Sequence, residues 1–391
     1  MHTYDRARKS KMAKLTSALI LVVGILIVLA YLYYIHSYRP SEPVVSAGFL
    51  SEPVWIFNAD ESVTATPLIH GNQMYVRTAE AVYCIDLVTR ETLWISETSG
   101  TLPLSVAPQV VDGILIVPEE GAGLAGFWAD TGELLWHTPP AIDINPKNPY
   151  TAKIDALLVW QGIIYVARYD WKLSAYELKS GKQLWQINAS GRADLDLAID
   201  DQALYLSGGH FLRAYGLEYV KMLWEREFDE LTGPILLEDG ILYLGLFSES
   251  NSLMAIDLET GDDLWQVQLG GGDGADIRSL VLNQDVIYVG AHRLFAVSKT
   301  KGEILWMSEK TGLLEQPLIV GERIYVRNTE TVLYIFDLEA GREIGHLSVQ
   351  TDEFVGHYPP RGPAVFDDLL IVPFGDERIF FYEIVTNGTG D

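Results

Sequence analysis

One short pattern recurs along this chain and constrains its fold more than any other feature. The complete copy, Ala255 to Trp265, joins an Ala-x-Asp strand end to a Thr-Gly turn and a second strand that closes on tryptophan. The last copy of the pattern, Asp337 to Gly345, ends on glycine where the other copies end on tryptophan. Tryptophans at the equivalent point are spaced 39 to 49 residues apart: Trp55, Trp94, Trp136, Trp185, Trp224, Trp265 and Trp306. A period near 40 residues with short strands in each unit predicts an all-β chain folded as a β-propeller, in which every sheet buries its faces against its neighbours.

A hairpin precedes the tryptophan strand in each unit. Asp112-Gly113 and Asp239-Gly240 separate apolar runs, which is the strongest short signal of a two-residue turn. Eight hairpins occur but only seven complete units, because the eighth, 361–384, ends after three strands. We therefore predict that the segment around Trp55 supplies the missing outer strand. The two chain ends would share one blade and close an eight-bladed ring of four-stranded antiparallel sheets.

We expect the tryptophans to be structural and to pack between neighbouring sheets. An indole side chain buries roughly 150–250 Å², so one per blade would hold adjacent sheets together. Gly345 is then expected to mark the weakest junction. The single cysteine, Cys84, follows a strand pattern and is expected to be a small buried hydrophobe, and one cysteine excludes an intrachain disulfide.

The N-terminal segment predicts a membrane anchor. Residues 1–14 are a basic tail, and Leu15 to Ile35 then run 21 residues without a charge, enough to span a bilayer's hydrocarbon core. Positive charge ahead of the span keeps that end in the cytoplasm, so the rest of a single-pass chain would lie outside the cytoplasmic membrane. A signal peptide cleaved after Ala47 is the alternative. The remaining boundaries are a linker at 36–52, the propeller at 53–386 and a short tail at 387–391.

Charge is distributed unevenly. The formal net charge is −25, yet residues 1–39 carry six basic side chains and one acidic one, which leaves −30 on the remainder. Such an acidic domain repels phosphate backbones, so nucleic-acid binding is disfavoured. Solubility explains the charge, and a basic partner is the alternative explanation.

The repeated Ala-x-Asp-x-x-Thr-Gly-x-x-x-Trp resembles the tryptophan-docking motif of the pyrroloquinoline-quinone-like (PQQ-like) β-propeller repeat family, over residues 53–386. One branch of that family contains quinoprotein dehydrogenases with a quinone and calcium on the propeller axis. Many of its alcohol dehydrogenases carry a disulfide between adjacent cysteines, which this chain lacks, and long insertions between repeats. The other branch contains non-catalytic eight-bladed scaffolds such as the outer-membrane assembly factor BamB. The compact units resemble this second branch, although BamB is an acylated lipoprotein and no cysteine directly follows the apolar run here.

The residue patterns offer no catalytic or metal site. Gly270 to Ala275 formally matches a dinucleotide fingerprint, but it connects two strands with no helix to receive a pyrophosphate, so we interpret it as an inter-blade loop. The eight histidines have no metal-ligand spacing. No metal and no resident cofactor are therefore expected, with PQQ and calcium implied only if the dehydrogenase resemblance holds.

Two surface sets are the candidate sites, both on the face that carries the long loops. Charged residues at the starts of the innermost strands are expected to surround the channel mouth, where they would hold a small polar ligand or simply form a hydrated rim: Lys153, Asp155, Asp194, Asp276, Arg278, Glu315 and Arg361. Aromatic and basic residues on nearby loops are of the types common at protein interfaces: Arg168, Tyr169, Trp171, His210, His292 and Arg293.

The sequence thus favours a monomeric, membrane-anchored, extracytoplasmic propeller that binds an envelope protein without catalysis. Two alternatives stay open. One is a quinone- and calcium-dependent dehydrogenase, and the other is a small-ligand sensor that uses the channel mouth.

Overall fold

A computed structural model describes 52–98, 106–119, 123–139, 153–189, 195–247, 251–270, 276–309, 312, 314–328, 332–349, 362–374 and 376–384, with the backbone of 43–45. The chain divides into two compact units, one of 1–43 and 350–352 and the other of 44–349 and 353–391. All described residues except Pro43 belong to the second unit. The predicted anchor Leu15–Ile35 and its basic tail lie outside the described residues. Within the described ranges no helix is long and apolar enough to cross a membrane.

The second unit consists of consecutive four-stranded antiparallel sheets, here called blades, with strands A to D in each. Two strands come before the first complete blade: β1 (Pro43–Val45) and β2 (Trp55–Asn58). Blade 1 contains β3 (Leu68–His70), β4 (Gln73–Arg77), β5 (Ala81–Asp86) and β6 (Thr92–Glu97). Blade 2 contains β7 (Gln109–Val111), β8 (Ile114–Pro118), β9 (Leu124–Trp128) and β10 (Leu134–His137). Blade 3 contains β11 (Ile154–Trp160), β12 (Ile163–Arg168), β13 (Lys172–Glu177) and β14 (Gln183–Asn188). Blade 4 contains β15 (Asp196–Ile199), β16 (Ala203–Gly208), β17 (Phe211–Gly216) and β18 (Met222–Glu227).

The second half of the chain repeats the arrangement. Blade 5 contains β19 (Leu231–Glu238), β20 (Ile241–Phe247), β21 (Ser252–Asp257) and β22 (Asp263–Gln268). Blade 6 contains β23 (Ser279–Asn283), β24 (Val286–Gly290), β25 (Leu294–Ser298) and β26 (Ile304–Met307). Blade 7 contains β27 (Leu318–Val320), β28 (Arg323–Arg327), β29 (Leu333–Asp337) and β30 (Glu343–Val349), with β1 beside β30 as a fifth strand. Blade 8 begins with β31 (Ala364–Phe366), β32 (Leu369–Pro373) and β33 (Arg378–Glu383).

Blade 8 is completed by β2, so the prediction of a shared closing blade is confirmed. The strand order is β2-β33-β32-β31. Trp55 lies opposite Phe381 in the ladder, and their ring centroids are 4.1 Å apart. The amide of Val54 extends the pairing by donating to the carbonyl of Phe381 at 2.8 Å. The molecule is therefore an eight-bladed propeller whose closing blade pairs β2 with the last described strand, β33.

A separate apolar core fills each of the eight junctions between blades. Each of eight clusters of buried side chains draws its members from two successive blades. The cluster that includes Phe57, Phe381, Met74 and Ile85 joins blade 8 to blade 1. Cys84 is buried in the cluster between blades 1 and 2. Strand A of one blade contacts strand A of the next from blade 3 to blade 6 and between blades 8 and 1, which places these strands around the axis.

The turns have the backbone geometry that their sequences require. The hairpins predicted at the two Asp-Gly pairs are present. Asp112 and Gly113 both have positive φ, as do Asp239 and Gly240, so these A–B connections are type I′ turns. At the C–D turn of blade 5, Asp257 Oδ1 accepts hydrogen bonds from the amides of Glu259 and Thr260 at 2.9 and 3.0 Å. The aspartate of the repeated motif therefore stabilises the turn that follows it.

Several tryptophans lie against the C–D turn of the next blade. Trp265 Nε1 donates to the carbonyl of Lys299 at 3.0 Å, and a Cβ added to Gly302 would lie 2.5 Å from the indole. Trp94 and Trp136 make the equivalent hydrogen bonds to the carbonyls of Ala129 and Leu178, at 3.2 and 2.8 Å. Only glycine fits such a close approach, which explains the Thr-Gly signature.

Gly345 replaces tryptophan for a topological reason. Strands C and D of blade 8 come from opposite ends of the chain, so that blade has no C–D turn for a tryptophan of blade 7 to contact. Arg327 bridges this junction instead, and donates from Nη1 and Nη2 to the carbonyls of Pro373 and Phe374 at 2.9 and 3.3 Å. The weakness predicted for this junction stays a prediction, but the junction is packed.

Candidate functional site: the loop face and the channel mouth

Strand alternation gives the propeller two different faces. One side of the propeller, here called the loop face, carries the B–C and D–A connections. Strands A and C begin on this side, and strands B and D end there. The opposite side, here called the turn face, carries the tight A–B and C–D turns. Both candidate sets lie on the loop face, where connections are longer.

The starts of the A strands surround a cavity of about 320 Å³ at the channel mouth. Its lining comes from blades 3 to 7: Lys153, Asp155, Leu195, Asp196, Pro234, Ile235, Phe247, Asp276, Ile277, Arg278, Ser279, Leu280, Glu315 and Gln316. Five of the seven residues proposed for the channel mouth are among them. The other two, Asp194 and Arg361, lie outside the described residues.

A local pattern positions the charged side chains at this mouth. A buried apolar residue anchors the start of strand A in three blades: Ile154, Leu195 and Ile277 are at most 3% exposed. The residues on either side of a buried strand position point the other way, here towards the axis. Asp196 holds this position in blade 4. Asp196 is not among the residues predicted for the channel mouth, although charged–apolar–charged runs at 153–155 and 276–278 repeat the arrangement of 194–196.

Hydrogen bonds fix some of these groups in place. Lys153 Nζ lies 3.2 Å from Asp155 Oδ1, and the Asp155 side chain is only 3% exposed. Asp196 Oδ2 accepts a hydrogen bond at 3.0 Å from the amide of Ile235, which ties blade 4 to blade 5. Ser279 Oγ donates to the carbonyl of Glu315 at 3.3 Å and ties blade 6 to blade 7. These contacts hold the described charged groups in place at the mouth.

Negative charge dominates the described lining. Four carboxylates, from Asp155, Asp196, Asp276 and Glu315, face two cationic groups, and one of those, Lys153, is already in an ion pair. Such a lining favours cations over anions. Among the described residues, no three acidic, histidine or cysteine side chains come close enough together to hold a metal ion.

The aromatic and basic set occupies B–C loops of blades 3, 4 and 6, but its members differ in exposure. Trp171 is 40% exposed and His210 is also exposed, so these two side chains are open to a partner. Tyr169, His292 and Arg293 are half-buried. Arg168 is only 2% exposed, so it cannot serve as the surface anchor that the sequence suggested.

Arg168 instead holds its own loop. Its Nη2 lies 2.7 Å from Asp170 Oδ2, and Lys172 Nζ lies 3.7 Å from the same oxygen. Burial raises the pKa of Asp170, and the positive charge of Arg168 opposes that effect. The amide of Tyr169 donates to the carbonyl of Lys153 at 2.9 Å, so this loop is connected to the channel mouth. The network fixes the backbone on which Trp171 is displayed, at a φ of 64°.

Three other members of the aromatic and basic set contact neighbouring groups. Arg293 and His210 lie against backbone carbonyls, and His292 packs on a phenylalanine ring. Arg293 Nη1 donates to the carbonyl of Ser308 at 2.8 Å, and His210 Nδ1 lies 3.1 Å from the carbonyl of Glu230. His292 packs edge-on against Phe295, with ring centroids 5.4 Å apart. Burial, assisted by the charge of Arg293, lowers the pKa of His292. A neutral imidazole at ordinary pH follows.

Fold, repeat motif and docked tryptophans together define the class: an eight-bladed propeller built from PQQ-like repeats. A sequence profile of the family described as "Outer membrane protein assembly factor BamB" matches residues 50–143 and 249–387, more than half of the chain. The chain therefore belongs to the BamB family of PQQ-like propellers.

Individual relatives agree with that assignment. Outer membrane protein assembly factor BamB of Salmonella typhimurium is 20% identical over 383 residues, which cover 80% of this chain and 94% of the relative. Quinohemoprotein alcohol dehydrogenase ADH IIB of Pseudomonas putida is 29% identical over 230 residues, which cover 55% of this chain but 27% of the enzyme. The crystal structure of BamB from Moraxella catarrhalis superposes with a TM-score of 0.65 at 16% identity, over 85% of this chain and 99% of that one.

Proposed function

We propose that the protein is a membrane-anchored, extracytoplasmic scaffold of the cell envelope that binds a protein partner through its loop face and takes part in outer-membrane protein assembly. The observation that carries the proposal is the extent of the similarity. The chain matches BamB of Salmonella over 94% of that protein's length, so it is similar to the whole assembly factor.

The surface chemistry supports a binding role. The loop of Trp171 is held by the Arg168–Asp170 ion pair, and the loop of His210 by backbone hydrogen bonds from Phe228 and Thr232. An exposed tryptophan on such a loop is a common interface anchor. Because these loops are ordered before binding, a partner would meet little entropic cost on docking. The anchor at Leu15–Ile35 would keep this face close to other envelope proteins.

The dehydrogenase alternative requires a different mouth. Pyrroloquinoline quinone is a tricarboxylate, and an anion of that kind needs several free cationic donors. The described lining offers four carboxylates against Lys153, which is paired with Asp155, and Arg278. The described lining residues do not fit the quinone, so we derive no chemical step from it.

Site-specific photocrosslinking tests the scaffold proposal. A photoreactive amino acid at Trp171 in the full chain, in its own membrane, should give discrete protein adducts. The same substitution at Val88, which is 65% exposed on the turn face of blade 1, should give none. Adducts that are absent from Trp171, or identical from both positions, would contradict the proposal. So would dye-linked alcohol or sugar oxidation by the chain supplied with quinone and calcium.

The cavity at the channel mouth supports a second candidate, a sensor of a small cationic ligand. A polyamine or other organic cation would then raise the melting temperature of the full chain, and Asp276→Asn should reduce that rise. Equal stabilisation of both proteins would show that the ligand acts elsewhere.

A further inference from the structure

The junction between blades 4 and 5 differs from the docked junctions. At four other junctions the turn glycine of the next blade lies against the indole, as Gly302 does against Trp265. At this junction, a Cβ added to Gly261 would meet no atom within 4 Å. Among the described residues, no group accepts a hydrogen bond from Trp224 Nε1. A cavity of about 340 Å³ on the turn face lies between Trp224 and the turn at 257–261.

An ion pair holds this junction beside the cavity. Arg226 donates from Nη1 and Nη2 to the two carboxylate oxygens of Asp263 at 2.5 and 2.8 Å. This ion pair joins blade 4 to blade 5. The guanidinium of Arg226 also lies 4.8 Å from the ring centroid of Phe228. The space over Trp224 is therefore maintained by a bidentate contact and does not depend on indole docking.

The chain itself shows which side chain suits such a space. At the junction of blades 8 and 1, Arg90 occupies the turn position that Gly261 occupies in blade 5, and both have positive φ, 64° and 76°. The Arg90 guanidinium lies over the Trp55 ring at 5.7 Å from its centroid. Stacking of a planar cation on an indole is a recurrent and favourable contact. At Trp224 the equivalent cation is missing from the described residues.

The walls of the cavity add charge complementarity. Asp257 and Glu259 line it, and the only cation in its described lining, Arg226, is committed to Asp263. We propose that this cavity binds an arginine side chain of a protein partner, stacked on Trp224 and neutralised by Glu259. The blade also exposes Tyr219 (79%), Met222 (47%) and Leu223 (54%), apolar surface that suits the rest of a protein segment.

This site lies on the turn face, opposite the loop face, so it stands or falls independently of the proposed scaffold function. The test uses the full chain labelled with 5-fluorotryptophan, followed by ¹⁹F NMR, with its ten tryptophans assigned by Trp→Phe variants. N-acetyl-arginine N-methylamide should shift the Trp224 resonance saturably and leave that of Trp265 unchanged. The norleucine analogue, which is apolar and similar in length, should not shift it.

Two variants sharpen the result. Gly261→Arg supplies an internal guanidinium, as Arg90 does, so it should abolish the response of Trp224 to the added compound. Glu259→Gln should weaken binding about three-fold, the effect of one exposed ion pair. Equal shifts by the arginine and norleucine compounds would overturn the proposal, as would unchanged binding in Gly261→Arg. If that variant does not fold, unchanged affinity in Glu259→Gln overturns it.

Discussion

Buried arginines at the ends of B strands show how single residues support this propeller. Arg327 is 2% exposed and donates to two carbonyls of blade 8. Burial lowers the pKa of Arg327 to about 10, so the side chain stays charged at neutral pH. A charge-assisted hydrogen bond across a blade junction offsets part of the desolvation cost. The residue thus connects the two blades where the repeat has lost its tryptophan.

Tyr75 and Tyr325 are equivalent residues of blades 1 and 7 with different surroundings. Tyr75 Oη donates to Gln73 Oε1 at 2.6 Å and lies 3.1 Å from the carbonyl of Ala129 in the next blade's turn. Blade 8 has no such turn, and Tyr325 Oη is buried without a hydrogen-bond partner among the described residues. We expect Tyr325→Phe to raise the free energy of unfolding by up to about 1 kcal/mol and Tyr75→Phe to lower it by about 1 kcal/mol.

Chemical denaturation of the two tyrosine variants checks this pair. Both remove the same hydroxyl from a fully buried ring, so the comparison isolates the hydrogen bond. Equal losses of stability would mean that the Tyr325 hydroxyl finds a partner.

The Arg226–Asp263 ion pair makes stability depend on pH. The hydrogen bond from Arg226 is the main cause that lowers the pKa of Asp263. A carboxyl whose pKa is lowered by folding contributes stability above its unfolded pKa of about 3.9, and the contribution disappears as pH falls through the folded value. Asp263→Asn should therefore cost about 0.5 kcal/mol at neutral pH, since the pair is half-exposed, and nothing at strongly acid pH.

Thermal unfolding of this variant across pH is the measurement. Asp262→Asn is the matched control, because the neighbouring side chain makes no ion pair among the described residues. A difference between Asp263→Asn and the parent that persists at low pH would contradict the assignment.

At the scale of strands and turns, the C–D turn is the element that packs against the tryptophan of the preceding blade. Gly302 and Gly261 are equivalent glycines with similar φ, 68° and 76°, but only Gly302 lies against an indole. Gly302→Ala should destabilise the protein by about 2 kcal/mol more than Gly261→Ala, because positive φ strains both while only the first overpacks against Trp265. Urea denaturation of both variants measures the difference. Equal costs would mean that backbone strain alone decides.

These turns also show how far local sequence predicts the fold. The Asp-Gly pairs specify their hairpins because two consecutive positive φ values favour those residues. The most complete copy of the repeat, Ala255 to Trp265, nevertheless has the turn whose glycine meets no tryptophan. Contact between this turn and an indole depends on Trp224 of the preceding blade and on how the two sheets pack together. The local sequence pattern specifies neither.

The candidate site was predictable to a similar degree. Strand order places five of the seven channel-mouth residues around one cavity, because A strands of a propeller must face the axis. Asp196 was missed because two aspartates flank Leu195 and the sequence alone favoured the first. The burial of Arg168 was missed because it depends on Asp170 and on packing within its own loop.

At the scale of the whole molecule, the closing blade joins residues far apart in sequence. Trp55 and Phe381 pair across the ladder with their rings 4.1 Å apart. We expect a double-mutant cycle of Trp55→Leu and Phe381→Leu to give a coupling free energy of about 1 kcal/mol, typical of an aromatic pair. Additive losses of stability would show that the closing strands contribute through their backbones alone.

Because of this closure, β2 cannot pair until β33 has been synthesised. β2 leaves the ribosome early, and its partner β33 is made more than 300 residues later. At about 5–20 residues per second this leaves a wait of roughly 15 to 65 seconds. Throughout that time the nascent protein is an arc with an unpaired edge at its beginning, open to pairing with any passing strand. Premature termination before β33 would leave that edge permanently uncovered, so quality control of this protein depends on the synthesis of that strand.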